Sequence, residues 1–146
     1  GIIDIIATDH APHTLAEKSQ PYPNSPAGMP GVETSLPLML TAMQAGQCTL
    51  AQVQQWMCSG PARVYGIKNK GQLAEDFDAD LALVDIETTR PVRDNEVFSR
   101  AAWSPYAGRE LTGWPSYTIV GGQVVFDNGR IRPGVFGRAL EFSRPG

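Results

Sequence analysis

Histidine and cysteine are scarce in this sequence of 146 residues, which contains two of each. The two cysteines, Cys48 and Cys58, are too few for a disulfide framework or a zinc ribbon, so a reducing cytoplasm is the expected compartment. No apolar run approaches the ~18–20 residues that a membrane-spanning helix needs. No signal peptide is recognisable either. We therefore expect a cytoplasmic protein that does not act at a membrane.

Positive charge is also limited. Twelve Lys and Arg residues stand against 15 Asp and Glu residues, which gives a formal net charge of −3. No stripe of basic residues is present, and this argues against a nucleic-acid partner. With 42% apolar and 18% charged residues, the composition is typical of a globular domain.

The residues that carry chemistry are concentrated near the start of the chain. Residues 2–6 form an apolar run rich in isoleucine, which predicts a strand buried on both faces, as in a parallel sheet. The run is followed by Asp9, His10 and His13. Pro12 prevents regular structure from continuing there, because it fixes φ and lacks an N–H. In α/β barrels the carboxyl ends of the strands form the catalytic face, so these side chains are candidate site residues.

Each of these side chains also has a simpler interpretation. An aspartate after a strand is often only a turn former or a helix cap. The two histidines lie three positions apart, which can arise by chance, and a loop histidine is usually solvated or hydrogen-bonded. Spacing alone therefore leaves both interpretations open.

The same stretch resembles the second signature of the dihydroorotases, members of the amidohydrolase superfamily of metal-dependent hydrolases. The matching residues are Ala7, Thr8, Asp9, His10, Ala11, Pro12, His13 and, after four further positions, Lys18. Hydantoinases and allantoinases share the Asp-His pair but usually lack the Ala-Pro-His continuation. Residues 25–34, 112–115 and 121–126 also resemble stretches of that family. The resemblance covers essentially the whole chain, but only the last third or so of a typical member.

This resemblance implies an α/β fold. We expect the C-terminal end of a TIM-like (β/α)8 barrel, with the last strand and its helices, in residues 1–66, and part of a flanking β-sandwich domain in residues 67–146. A complete barrel takes about 250 residues. The sequence opens directly on a core strand and without an initiator Met, so we expect it to be the C-terminal part of a longer protein.

Local patterns place the elements within these two regions. Residues 14–33 are rich in proline and glycine and predict a long loop without a helix, which is a candidate lid or substrate loop. Helices are predicted from Thr34 to about Ala45, after the capping box of Thr49 and Gln52, and from about residue 59 to Gly66. The β predictions are a segment from about residue 73, a short one at 89–92 and a stronger one at 117–131, whose turns are Gly121-Gly122 and Asn128-Gly129. Residues 94–112 are predicted to be irregular, and the tail from residue 132 to be poorly ordered.

The resemblance also implies an activity, the reversible hydrolysis of dihydroorotate to N-carbamoyl-aspartate in pyrimidine biosynthesis. Hydrolysis of a cyclic amide needs a water that is nucleophilic near neutral pH, which one or two bound Zn²⁺ ions supply. It also needs a group that removes the proton of that water and passes it to the leaving nitrogen. The resemblance gives the catalytic role and a metal-ligand role to Asp9. It gives substrate binding to His13 and to the backbone of Ala27 and Gly28. It gives no direct role to His10, which we expect to be structural or to support a neighbouring site residue.

The other metal ligands that the resemblance implies are missing. The sequence has no His-x-His pair, no third histidine and no recognisable bridging carboxylated lysine. Zinc bound by Asp9 alone would be held weakly, because protein zinc sites normally use three or four ligands. We therefore expect this stretch alone to bind no catalytic metal and to be inactive, although its parent would be a metal-dependent cyclic amidohydrolase.

Two other functions stay open. One is a non-catalytic, dihydroorotase-like scaffold that partners aspartate transcarbamoylase. The other is a hydantoinase-type enzyme that acts on a different cyclic amide. For the dihydroorotase interpretation we expect a small-molecule substrate and a homo-oligomeric protein.

Overall fold

The computed structural model describes residues 2–143 and contains both helices and an antiparallel sheet, in agreement with the predicted α/β class. The elements are α1 (Leu15–Lys18), α2 (Ser35–Gln44), α3 (Leu50–Gln54), α4 (Gly60–Tyr65), β1 (Leu81–Pro91), β2 (Glu110–Val120), β3 (Gln123–Asp127) and β4 (Arg130–Ile131). A π-turn, Gln55–Ser59, joins α3 to α4, and a 3-10 turn, Asp94–Glu96, follows β1. Among the described residues, no helix is both long and apolar enough to cross a bilayer.

The apolar run at the start is not the buried strand that the sequence predicts. Within the described residues it pairs with no other strand, and Ile2 and Ile3 are 101% and 61% exposed. A backbone hydrogen bond from Ile6 N to Trp56 O, 3.0 Å long, attaches it to the helices. An apolar segment becomes a core strand only when neighbouring strands take up its N–H and C=O groups. Residues 2–143 supply no such neighbours to it.

Helix α2 occupies the predicted position, with Thr34 as its N-cap residue and Gly46, at φ 72°, just beyond its end. The Thr34 hydroxyl does not cap the helix but donates to Gly31 O at 3.3 Å. The inner side of α2 is closely packed, since Leu40 and Pro37 are fully buried.

The next two predicted helices form one continuous helical stretch. The predicted capping box is present: Thr49 Oγ1 accepts from Gln52 N at 3.2 Å, and Gln52 Oε1 accepts from Thr49 N at 2.9 Å. The π-turn then leads into α4 without a break, and Gly66, at φ 63°, ends the helix as predicted. A Cβ at Gly60 would lie 2.5 Å from both Asp4 O and Gln55 O, so only glycine lets the first segment approach here.

The sheet has the order β1-β2-β3-β4, and all its neighbours are antiparallel. Both predicted turns are confirmed, since Gly121 and Gly122 have φ of 55° and 79°, and Asn128 and Gly129 have φ of 44° and 85°. Such paired positive φ values are typical of type I′ hairpins, whose twist matches that of the strands.

Strand β1 differs from its prediction. It begins at Leu81 and not near residue 73, and it ends at Pro91, so it includes all but the last residue of the short segment that was predicted separately at 89–92. The reason is a bulge. Asp85 Oδ1 accepts from Glu87 N and Thr88 N, and the pairing register shifts between Asp85 and Thr89. The bulge interrupts the alternation of side chains between the two faces of the sheet. The sequence pattern therefore predicts two short strands where the structure has one. Strand β2 likewise begins at Glu110, within the stretch predicted to be irregular.

Helix α2 packs on β2 and so joins the helical and sheet halves. Leu111 is fully buried there, and a Cβ at Gly113 would lie 2.6 Å from Leu40 Cβ. Thr41 Oγ1 accepts from Thr112 N at 2.8 Å. The division into domains at residue 66 stays a prediction.

The tail also contributes to this junction. Ile67 forms a bridge with Phe142, Lys68 N donates to Glu141 O at 2.9 Å, and Ser143 N donates to Gly66 O at 2.7 Å. The prediction of a poorly ordered tail from residue 132 is therefore wrong for this part. Pro145 and Gly146 lie outside the described residues.

Candidate functional site

Two segments predicted to belong to a site lie side by side. His10 forms a parallel bridge with Met29, and Ala11 N donates to Met29 O at 3.0 Å. Gly28 has φ of 90°, and a Cβ there would lie 2.6 Å from Ala11 Cβ. The loop therefore needs a glycine at this position, both for its backbone conformation and for its contact with the segment that carries the candidate residues.

His10 holds this loop in place. Its Nδ1 accepts from Gly31 N at 3.1 Å and from Val32 N at 3.3 Å. Because both partners are backbone donors, Nδ1 carries no proton and the ring proton of the neutral form lies on Nε2. In this structure His10 therefore supports the loop through its ring nitrogen.

Asp9 has a left-handed backbone, with φ of 45°. This conformation costs roughly 1–2 kcal/mol for a residue with a Cβ, although aspartate tolerates it better than most. Within residues 2–143 its exposed carboxylate makes no hydrogen bond or ion pair, so it neither caps a helix nor closes a turn through its side chain. Its carboxylate is thus available at the surface.

His13 is half-buried and lies where a third segment reaches the site. Its backbone N donates to Ala11 O at 2.8 Å, and its carbonyl accepts from Trp103 Nε1, also at 2.8 Å. Trp103 belongs to the connection between β1 and β2, so this hydrogen bond joins the sheet half to the candidate site.

A short helix follows His13, contrary to the prediction of a helix-free loop over residues 14–33. Thr14 Oγ1 accepts from Glu17 N, and Glu17 Oε2 accepts from Thr14 N at 2.6 Å, which makes a complete capping box for α1. These hydrogen bonds, led by the backbone one, hold the pKa of Glu17 below its ordinary value. The Thr-x-x-Glu spacing of Thr14 and Glu17 is the local sequence signal for this helix.

Lys18, the last residue of the stretch that resembles the dihydroorotase signature, is also held in place. Lys18 Nζ donates to Pro26 O at 2.6 Å, and Ser25 Oγ donates to Lys18 O at 3.0 Å. These two contacts bring the start of the 25–34 loop back against α1, so Ala27 and Gly28 lie in a segment held from both ends.

The potential metal-ligating side chains near Asp9 do not form a metal site within the described residues. Across the part of the chain that the structure describes, no three His, Cys, Asp or Glu side chains lie close enough together to hold a metal ion. His10 Nδ1 is already occupied by backbone amides. Asp9 is left as a single predicted ligand, which does not fit the three or four ligands of a zinc site.

Glu33 and Trp103 were not among the predicted site residues. The Glu33 carboxylate accepts from Ser99 N at 2.8 Å and from Phe98 N at 2.9 Å, and Trp103 donates to His13. Their partners lie 65 to 90 positions away in sequence, and no local pattern indicates such contacts.

Comparison with known proteins shows the family to which the chain belongs. The amidohydrolase family matches residues 1–125, and the chain belongs to that family of hydrolases. It is 42% identical over 127 residues to the dihydroorotase of Halobacterium salinarum, which covers 87% of this chain and 30% of that protein. It is 38% identical over 132 residues to the dihydroorotase of Methanothermobacter thermautotrophicus, covering 90% of this chain and 31% of that protein. The resemblance to dihydroorotases is thereby confirmed.

Solved structures of the same superfamily share the fold. The L-hydantoinase (dihydropyrimidinase) of Arthrobacter aurescens superposes with a TM-score of 0.89 at 33% identity, over 96% of this chain and 32% of that one. A D-hydantoinase superposes with a TM-score of 0.84 at 26% identity, over 90% of this chain and 30% of that one. The chain thus spans about 30% of the length of the curated relatives that it matches.

Proposed function

We propose that this chain contributes to a dihydroorotase, which reversibly hydrolyses the cyclic amide of dihydroorotate to N-carbamoyl-aspartate. The observation that carries the proposal is the pairing of two segments, 9–13 and 25–34, through His10 and Gly28. Both segments belong to the stretches that resemble dihydroorotases. The identity of about 40% to curated dihydroorotases supports the same conclusion.

Within this proposal, Asp9 acts as the proton-transfer group. Its exposed carboxylate accepts a proton from the attacking water and returns it to the leaving nitrogen when the ring opens. His13 donates to the carboxylate of the substrate. The backbone of Ala27 and Gly28 lines the substrate, since the absent side chain of Gly28 allows a close approach.

The family is generally metal-dependent, and we propose zinc as the metal. Bound zinc supplies a water of lowered pKa. Asp9 is one proposed ligand of it. The other ligands must come from outside residues 2–143, because the described residues do not assemble a ligand set.

The division of the chain is part of the proposal. Residues 1–66 would form the end of a barrel and residues 67–146 part of a flanking β-sandwich. The apolar run at residues 2–6, which is exposed at Ile2 and Ile3, supports this assignment because it has the composition of a buried strand. A place in cytoplasmic pyrimidine biosynthesis, a homo-oligomeric state and contact with aspartate transcarbamoylase are further proposals of this kind.

A hydantoinase-type activity is the second candidate. The 33% identity to the L-hydantoinase of Arthrobacter aurescens over nearly the whole chain favours it. The two candidates differ in substrate, because dihydroorotate carries a carboxylate that His13 would bind and an alkyl-substituted hydantoin does not.

The test is to purify the full-length gene product and measure kcat/KM for dihydroorotate and for a 5-alkyl hydantoin, with zinc and after chelation. We expect a preference for dihydroorotate that His13→Ala reduces. A preference for the hydantoin would support the second candidate, and no turnover of either substrate would support the non-catalytic scaffold.

A further inference from the structure

We infer that Trp103 is a positioning residue for His13 and that it sets the affinity of the site for the substrate carboxylate; the inference rests on the proposed function. The indole Nε1 donates to the carbonyl oxygen of His13 at 2.8 Å, between residues 90 positions apart. Trp103 contacts neither substrate nor reacting atoms in this proposal. It acts through the backbone of the residue that does.

His13 depends on an external donor because its neighbours provide little backbone support. Pro12 precedes it and has no N–H. The hydrogen bond from His13 N to Ala11 O, at 2.8 Å, spans only two residues. Helix α1 begins after Thr14, so the His13 carbonyl lies outside regular structure. Among residues 2–143, this carbonyl accepts a hydrogen bond from Trp103.

Trp103 is itself held on both sides. Ala102 has a left-handed backbone with φ of 54°, and its N donates to Ser99 O at 3.0 Å. On the other side, Ser104 is buried and its N donates to Asp94 Oδ1 at 2.8 Å. The free-energy cost of a left-handed backbone at an alanine is roughly the stabilisation that one weak hydrogen bond provides. This conformation is therefore held by the surrounding contacts. The indole is therefore presented by a rigid turn.

A second contact anchors the same turn to the other side of the site. The Glu33 carboxylate accepts from Phe98 N at 2.9 Å and from Ser99 N at 2.8 Å. Glu33 directly follows the two amides that His10 holds. The connection of residues 97–104 is thus attached both to the 25–34 loop and to His13, and these attachments close a ring of contacts around the site.

The chain offers a matched control for removal of the indole N–H. Trp114 Nε1 donates to Leu111 O at 2.9 Å, and Trp114 is half-buried as Trp103 is. Trp114→Phe therefore removes the same kind of hydrogen bond, but one whose acceptor is Leu111 in β2 and not His13. Any general effect of losing an indole–carbonyl bond appears in both variants.

The experiment compares Trp103→Phe with Trp114→Phe in the full-length gene product. We expect Trp103→Phe to raise KM for dihydroorotate by about 3- to 10-fold, the factor that one hydrogen bond is worth, with little change in kcat. Trp114→Phe should leave KM unchanged. In the His13→Ala background, Trp103→Phe should have no further effect on KM, because the group that it positions is gone.

A spectroscopic readout makes the test independent of turnover. In protein labelled at the histidine Cε1 position, the His13 resonance is identified by its loss in His13→Ala. Trp103→Phe should shift it, and Trp114→Phe should not. A shift without turnover of dihydroorotate would overturn the proposed function but not the positioning role.

Three results would overturn the inference. One is an unchanged KM together with an unmoved His13 resonance in Trp103→Phe. Another is an equal effect of the two Trp variants. The third is an effect of Trp103→Phe that simply adds to that of His13→Ala, as expected if Trp103 served only stability.

Discussion

At the scale of single residues, the Asp9 carboxylate is exposed and carries the proposed chemistry. Asp9→Asn keeps the size and the preference for a left-handed backbone but cannot accept a proton. In the full-length gene product we expect kcat to fall by at least about 100-fold, as for loss of a general base, with an unchanged circular dichroism spectrum. Near-wild-type kcat in this variant would remove Asp9 from the mechanism.

Asp4 provides the control for that variant. It lies on the same segment and is exposed, and among residues 2–143 its carboxylate makes only a long contact of 3.4 Å with Arg63. Exposed pairs of this kind contribute little to stability. Asp4→Asn should therefore leave both kcat and the thermal midpoint unchanged.

The two histidines should behave differently when replaced. His13→Ala removes a proposed donor to the substrate carboxylate and should cost about 2–3 kcal/mol in kcat/KM. His10→Ala leaves the amides of Gly31 and Val32 without their acceptor, so it should lower the thermal midpoint more than it affects binding. His10→Asn, which can present an acceptor oxygen, should recover part of that stability. Equal losses of kcat/KM for His10→Ala and His13→Ala would mean that the pair is structural.

These residues also show which parts of a site can be predicted from sequence. Asp9 and His13 can be proposed from the sequence because the residues around them form a contiguous pattern. Trp103 was not, because its role depends on a hydrogen bond to a carbonyl 90 positions away. A backbone carbonyl can accept a hydrogen bond whatever its side chain is, so the residue type does not indicate such a contact. The contact is recognisable only in the folded structure.

At the scale of elements, Gly28 determines how the 25–34 loop contacts the site segment. Gly28→Ala introduces a Cβ at 2.6 Å from Ala11 Cβ, at a φ of 90°. We expect a loss of about 2–3 kcal/mol in stability, from strain and clash together, and a raised KM because the loop must move. Chemical denaturation and steady-state kinetics measure the two effects.

A substitution at Gly134 distinguishes backbone strain from the clash with Ala11. Gly134 has nearly the same φ, 84°, but a Cβ there meets no atom within 4 Å. Gly134→Ala should therefore show only the backbone strain, about 1 kcal/mol, and no change in KM. Equal costs at both positions would show that the contact with Ala11 is not restrictive.

The turn before β1 gives a prediction about pH. Lys70 and Asp80 form a close ion pair, and Asp80 Oδ1 also accepts from Gly121 N at 2.7 Å. The hydrogen bond to Lys70 holds the pKa of Asp80 below its ordinary value. The hydrogen bond to Asp80 raises the pKa of Lys70. The carboxylate thus stabilises the fold above the pKa of an unfolded aspartate, and this contribution is lost as the pH falls through the lowered pKa.

Asp80→Asn should accordingly lower the thermal midpoint at pH 7, and the difference from wild type should shrink as the pH falls below the pKa of an unfolded aspartate. The raised pKa of Lys70 has the opposite sign, so its contribution is lost only at strongly alkaline pH. Asp76→Asn in the same acidic turn is the control. A midpoint difference for Asp80→Asn that does not change with pH would contradict the ion-pair account.

The ends of helices and strands are predicted correctly where they depend on neighbouring residues, and incorrectly where they depend on residues distant in sequence. The capping box of Thr49 and Gln52 and the turns at 121–122 and 128–129 are local, and the sequence predicts them correctly. The bulge at Asp85 and the missing pairing of residues 2–6 depend on partners elsewhere. Hydrophobic pattern alone therefore divides β1 in two and predicts a strand that the described residues do not form.

At the scale of the whole molecule, the chain exposes more surface than its size requires. Its accessible area is 10114 Å², whereas a folded monomer of 15.8 kDa has about 7300 Å². Large apolar side chains contribute to the excess, among them Ile2, Tyr22, Leu73 and Phe136. Such surface is normally covered in the working protein.

For the chain of residues 1–146 by itself, we expect neither stoichiometric zinc nor hydrolysis of dihydroorotate. Asp9 supplies one carboxylate, and the described residues bring no second and third ligand to it. Metal analysis after gel filtration and a hydrolysis assay measure both quantities, with the full-length gene product as the positive control. Stoichiometric zinc together with turnover by the 146 residues would contradict this account of the site.

The return of the tail to residues 66–68 has a consequence for how the chain is made. Gly66 and Lys68 find their hydrogen-bond partners in Ser143 and Glu141, more than 70 residues later. A ribosome releases the chain from its N-terminus, so α2, α4 and the sheet hairpins can form while those partners are still unsynthesised. The junction between helices and sheet is therefore completed last, and a stalled nascent chain that ends before Glu141 would leave it open.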